Sequence, residues 1–148
     1  MKLGSVKWCE QYPTMQELRE WLNAEKGIRT QREAIDWIRK NVPLEGKFQK
    51  VILDHLDDLR KAGRIRCAFK KDEAGIYQQS GWPDVMAVID GRYVGFEVKR
   101  PYIGEPTPLQ LDTINRIRQA GGIAEVVSFS FEVDEILISN GLMKAWRL

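Results

Sequence analysis

Histidine, cysteine and net charge are all scarce in this chain of 148 residues. The single histidine, His55, excludes histidine-rich metal sites and nuclease chemistries that need two imidazoles. A Ser-His-Asp arrangement would rest on that residue alone. It falls among Val51, Ile52, Leu56 and Leu59 in a helical stretch, where a packing or solvent-edge role is the simpler reading. The two cysteines, Cys9 and Cys67, form no C-x-x-C pair, which excludes a structural zinc cluster. They read as free thiols in a reducing compartment, so a cytoplasmic location is expected. No apolar run approaches the roughly 18 residues that span a bilayer. The start of the chain lacks the charged-then-apolar pattern of a signal segment, and no membrane partner is expected. The formal net charge is +2. Such a balance neither demands nor excludes nucleic acid, because the local distribution of charge decides.

What is present suits one compact domain with a small extension. Residues 1–13 carry little signal. Thr14 opens a capping box with Glu17, followed by Leu18, Trp21 and Leu22 at helical spacing. Thr30 and Glu33 repeat the device ahead of Ala34, Trp37, Ile38 and Val42. Gly27 separates these two helices and Pro43 stops the second, giving a helical hairpin over residues 1–43. A third helix is expected from about Glu45 to Ala62, closed by Gly63. Arg64 to Lys70 alternates as a half-buried strand, and Lys71 to Gln79 reads as a mobile connection around Gly75. Asp84 to Ile89 and Tyr93 to Lys99 read as strands joined by an Asp90-Gly91 hairpin turn. After a stiff loop with Pro101, Gly104 and Pro106, Thr107 caps a helix with Pro108 at its first position. That helix ends at Gly121-Gly122. Ile123 to Phe129 is a further strand, and Ser130 caps a last helix ending at Asn140-Gly141. The expected order is α-α-α-β-β-β-α-β-α, with no internal repeat and no low-complexity segment.

The chemistry concentrates at Asp84, Glu97 and Lys99. Glu97 and Lys99 are two apart on one strand and so share a face, while Val98 points the other way. Asp84 enters from the neighbouring strand just after Pro83, where the backbone bends. Two converging carboxylates repel unless a cation lies between them. Mg²⁺, or Mn²⁺ with the same ligands, suits few carboxylates completed by waters and phosphate oxygens. Such an ion activates a water and stabilises charge on a phosphate, and the Lys99 ammonium would orient the nucleophile and offset negative charge. A Glu-x-Lys pair alone is usually a solvated face; the Pro-Asp element before the hairpin makes the set informative.

Glu45, Gln49, Ile52 and Leu56 fall on one helical stripe. A carboxylate at Glu45 has two readings: reaching the metal, or favouring the helix N-terminus through the dipole. Gln110 likewise either holds a phosphate or water near Lys99, or completes a capping box with Thr107. Lys70 and Lys71, Arg64 and Arg66, Lys99 and Arg100, and Arg116 and Arg118 would frame a groove for phosphates, or be surface charges balanced by nearby acids. Trp82 and Tyr102 flank the site in sequence as candidates for stacking on bases, with core packing the simpler reading for Trp82.

The run Ser80-Gly81-Trp82-Pro83-Asp84, then Phe96-Glu97-Val98-Lys99, then Pro106-Thr107-Pro108-Leu109-Gln110, resembles the VRR-NUC branch of the PD-(D/E)XK nucleases. Upstream, Glu45-Gly46-Lys47-Phe48-Gln49 resembles that family's first helix. The likeness covers roughly residues 44 to 130. It implies an α/β fold of restriction-endonuclease type, an α-β-β-β-α-β core with a mixed central sheet, here preceded by the N-terminal helical hairpin. The domain boundary then falls between residues 1–43 and 44–148.

The resemblance further implies Mg²⁺- or Mn²⁺-dependent nuclease activity on DNA, in the manner of small phage or bacterial proteins related to Holliday-junction resolvases, which work as dimers. By motif position Asp84, Glu97 and Lys99 are catalytic. Asp84, Glu97, the Val98 carbonyl and Glu45 are the metal ligands, and Gln49 and Gln110 are accessory. Gly81, Arg100, Lys70 and Lys71 are the expected contacts to nucleic acid, with branched DNA and a homodimer the expected partners. The rival reading from another class is a nuclease fold that only binds nucleic acid or a protein partner.

Overall fold

Turn chemistry and capping fix most element boundaries in the computed structural model, which describes residues 1–72 and 81–145. The connection expected around Gly75, and Ser80 of the first motif, lie outside the described residues. Four helices come first: α1 (Val6–Cys9), α2 (Met15–Lys26), α3 (Gln31–Asn41) and α4 (Glu45–Lys61). They are followed by β1 (Cys67–Lys71), β2 (Val85–Ile89), β3 (Arg92–Val98), α5 (Pro108–Gln119), β4 (Ile123–Val127) and α6 (Ser130–Ser139). Thr14 and Thr30 cap α2 and α3 through the hydroxyl half of the expected boxes: they accept from the N–H groups of Glu17 and Glu33 at 3.1 and 3.2 Å. The single-turn α1, capped by the Ser5 side chain, is too short to leave a periodic pattern and was not expected.

The sheet order is β1-β2-β3-β4, antiparallel at the first two pairings and parallel at the last. This is the expected mixed sheet, with α4-β1-β2-β3-α5-β4 as its core. The hairpin turn uses positive φ at both central residues, 47° at Asp90 and 83° at Gly91, as a tight two-residue connection requires. Two expected strands are shorter. β1 begins at Cys67 rather than Arg64, because β2 ends at Ile89 opposite Cys67 and leaves the earlier residues no strand to pair with. β4 stops at Val127 because the Ser128 and Phe129 N–H groups turn to the Glu132 carboxylate, at 2.9 and 3.0 Å. Glu132 therefore caps α6, and Ser130 is its first helical residue rather than its cap.

Alternation along β3 and β4 splits the interior into two. Val94, Phe96, Val98, Ile123 and Val127 face a large core built with α4, α6 and the N-terminal helices. Tyr93, Ala124 and Val126 face Ile114 and Ile117 of α5 on the other side. Residues 1–43 share the large core: Trp8, Leu18, Leu22, Ala34 and Ile38 are buried in the same cluster as Phe48 and Ile52 of α4. His55, half-buried at the edge, hydrogen-bonds Asp134 at 2.7 Å and ties α4 to α6, which is the packing role expected of it.

Candidate active site

The register of the hairpin brings the two acids together. Val85 pairs with Phe96, so extending the antiparallel ladder by one residue sets Asp84 across from Glu97. Pro83 lies over β3 at Gly95, where a β-carbon would come within 2.6 Å of the Pro83 ring and 2.9 Å of the Tyr93 hydroxyl. Gly95 is thus what admits Pro83 and sets the bend that aims Asp84. Asp84 is held from the other strand, where its Oδ2 accepts from the Val98 N–H at 2.9 Å.

Glu97 is 1% exposed. Its Oε1 accepts from Gln110 Nε2 at 2.7 Å and lies 3.4 Å from Lys99 Nζ. Its Oε2 is buried and has no hydrogen-bond partner among the described residues. An ionised carboxylate so placed is expensive. Burial, with the neighbouring Asp84 adding to it and Lys99 opposing, pushes the Glu97 carboxyl up to about 8. The Gln110 amide serves both readings made from sequence: its oxygen accepts from the Thr107 N–H at 2.8 Å while its nitrogen donates to Glu97. The capping box at the start of α5 therefore orients the group that orients Glu97.

Lys99 is fixed at its backbone, donating its N–H to Val127 at 2.9 Å and accepting from Ser128 Oγ at 2.7 Å. Its ammonium lies between Glu97 and Glu45, whose Oε1 is 3.7 Å away. Glu45 at the start of α4 faces Lys99. Burial raises its carboxyl above the usual range, against the pull of Lys99. Asp84, Glu97 and Glu45 do not close into a three-carboxylate cluster, and no group of three or more His, Cys, Asp or Glu side chains able to hold a metal forms among the described residues. Glu45 is thus a partner of Lys99, and lies near enough to Asp84 for that charge to add to its rise. Gln49 is buried one turn further along α4, with no hydrogen bond to either acid among the described residues.

The expected nucleic-acid contacts separate. Lys70 and Lys71 stay exposed on the edge strand β1, in register with Met86 and Val85 beside Asp84. Arg100 does not: its guanidinium donates to the carbonyls of Ile38, Arg39, Val42 and Pro43 at 2.7–3.3 Å, closing the C-terminus of α3. Gly81 is pressed on α5, where a β-carbon would lie 2.6 Å from Leu109. The Tyr102 hydroxyl donates to the Tyr12 carbonyl at 2.7 Å, so it braces the N-terminal segment instead of offering a stacking face. Arg66, Arg116 and Arg118 pair with Asp90, Asp112 and Glu125, the balanced-surface reading. Arg64 donates to the Lys144 carbonyl. Trp82, 46% exposed and edge-on to Tyr93, is not the core residue expected.

A mixed sheet flanked by helices, with an acid pair and a lysine at one end of its central hairpin, has the form of a nuclease-type α/β domain. A solved structure described as a VRR_NUC domain matches this chain with 28% sequence identity and a TM-score of 0.50, over 64% of this chain and 94% of its own length. No family model matches the sequence, and no curated protein does. Motifs and structural match together support the VRR-NUC family, and the fold is the restriction-endonuclease-like one that family implies. No helix among the described residues is long and apolar enough to cross a membrane.

Proposed function

We propose that this chain is a Mg²⁺- or Mn²⁺-dependent nuclease that hydrolyses phosphodiester bonds of DNA. The observation that carries the reading is the orphaned Oε2 of Glu97, buried on a carboxylate that Gln110 orients toward Asp84. Two acids so placed need a positive partner, either a proton or a cation. Asp84, Glu97 and the Val98 carbonyl are the oxygen donors that would hold a hard divalent ion, and an all-oxygen set suits Mg²⁺ or Mn²⁺. When bound, that ion supplies Lewis-acid stabilisation of the phosphate and a more acidic water.

The protein's own groups do the rest. The Val98 N–H keeps Asp84 in place, and the α5 cap keeps Glu97 in place. The Lys99 ammonium, drawn forward by Glu45, sits where charge develops on the phosphate and orients the attacking water. Lys70 and Lys71 on the exposed edge strand offer point charges to the DNA backbone. The motif run, which begins at Glu45, supports reading residues 44–148 as the nuclease domain and 1–43 as an extension. Cys9 and Cys67, both free thiols, suit the cytoplasm. The motif likeness to junction resolvases makes branched DNA, bound by a homodimer, the first substrate to try.

The test is cleavage of linear and branched DNA with Mg²⁺ or Mn²⁺. Asp84→Asn and Lys99→Met each lower the rate by roughly 10²–10³-fold, the usual loss of a charge-stabilising group. Equal cleavage by both variants and the wild type contradicts the mechanism. DNA binding with no cleavage under any metal would instead favour a binding module on a nuclease fold.

A further inference from the structure

We propose that the N-terminal extension and the start of α4 form a second phosphate-binding site, a lysine-lined pocket that holds the DNA backbone. The pocket has a volume of about 460 Å³ and lies where residues 2–7 meet the end of α3 and the start of α4. Lys2, Lys7, Lys40 and Lys47 line it, with Ser5 and Asn41 between them and no acidic residue in its wall. All four lysines are exposed. None of the four forms an ion pair among the described residues, although other surface cations do, as in Lys50 with Asp54 and Lys61 with Asp57. In a chain whose formal net charge is +2, this is a concentration of positive charge, with Glu10 near Lys7 the acid that partly offsets it.

Its charge gives it an occupant. Val42 and Pro43 in the pocket wall are two of the four residues whose carbonyls Arg100 grips, so the wall is braced to the main domain. Lys47 stands on the first turn of α4 as Glu45 does, but two residues on and so about 200° round the helix from the carboxylate that faces Lys99. The first turn of α4 adds to the field, since its N-cap, Leu44, provides no side-chain acceptor for the helix N–H groups. Lysines are flexible point charges without the fork geometry that reads a base or a single phosphate monoester, so they suit a run of backbone phosphates. The identity of the polyanion rests on the nuclease reading; the pocket itself does not.

The test is fluorescence anisotropy of the full chain with short duplex DNA, without divalent metal, across a range of salt. The variants are Lys2→Gln/Lys7→Gln/Lys40→Gln/Lys47→Gln, the pocket double Lys40→Gln/Lys47→Gln, and the control double Lys50→Gln/Lys61→Gln. The quadruple variant lowers the log–log salt slope by about 2–4 and weakens binding at least ~10-fold at moderate salt. The pocket double loses a clear part of that and the control double does not. In Mn²⁺-supported cleavage the quadruple variant raises KM and keeps kcat.

Equal slopes for the pocket and control doubles overturn the proposal, as does a loss confined to anionic lipid vesicles with DNA affinity unchanged. Wild-type cleavage together with wild-type binding by the quadruple variant overturns the pocket and leaves the nuclease reading standing. Pocket-dependent binding without cleavage does the reverse. No DNA affinity in the wild type overturns both.

Discussion

The N-terminal helices and the acid end of the β2–β3 hairpin handle polarity in opposite ways. In the helices the polar backbone ends are closed by partners: Thr14 and Thr30 at the starts of α2 and α3, and Arg100 at the end of α3. Their interior is a cluster of aromatic rings, Trp8, Tyr12, Trp21 and Trp37, with centroids 4.8–6.0 Å apart. At the hairpin, by contrast, a fully buried carboxylate keeps one oxygen unpartnered and faces a second acid. A fold that satisfies its polar groups in one region and leaves them unmet in another marks the second region as the place where something else must bind.

The largest stability effect should come from removing the bond between the two regions. Arg100→Ala strips four carbonyls at the end of α3 of a charged donor, and should cost about 2–4 kcal/mol in denaturant unfolding. Because Lys99 precedes it, DNA cleavage should fall as well. Arg100→Lys, with one ammonium in place of the planar fork, should recover only part of either loss. Full stability in Arg100→Ala would mean that the extension is not braced there.

A smaller effect should appear at the acid pair, with the opposite sign. Burial raises the Glu97 carboxyl from its usual 4.5 to about 8 in the folded chain. The metal-free protein therefore holds its full stability below about pH 4.5 and loses part of it as the pH climbs through about 8, by roughly 1–3 kcal/mol. Glu97→Gln removes that titration, so its unfolding free energy should vary less across the same window and exceed that of the wild type at pH 8. Parallel pH profiles for the two would show that the carboxylate is not under strain.

The smallest effect should separate capping from chemistry. Thr107→Val removes the hydroxyl half of the α5 capping box and should cost about 1 kcal/mol. Gln110→Leu should cost a similar amount and also free Glu97 Oε1, so its cleavage should fall more than that of Thr107→Val. Equal activity in the two would reduce Gln110 to a helix cap.

What could be read from sequence divides along the same line. Caps, hairpin turn and strand alternation are local, so the element order was legible apart from α1, whereas the mixed sheet followed from the family resemblance; that Asp84, Glu97 and Lys99 would meet was legible from the Pro-Asp element and the hairpin together. The misreadings concern partners distant in sequence. Arg100 and Tyr102 sit next to Lys99 and look available to substrate, but their partners lie 57–62 and 90–93 residues upstream. Glu45 and Gln49 share a helical stripe with buried residues, yet only three-dimensional placement shows that Glu45 meets the Lys99 ammonium from across the sheet end. Gly95 gave no local sign that Pro83 would lie on it.

Calorimetric titration of the metal-free chain with Mn²⁺, wild type against Glu97→Gln, bears most directly on the acid pair. The isosteric amide keeps the shape of the site and removes the charge that the unpartnered oxygen would offer. Saturable binding by the wild type, reduced at least ~10-fold in Glu97→Gln, is the result expected if Asp84 and Glu97 grip one cation. Identical isotherms for the two proteins, or no binding by the wild type with DNA present, would contradict it.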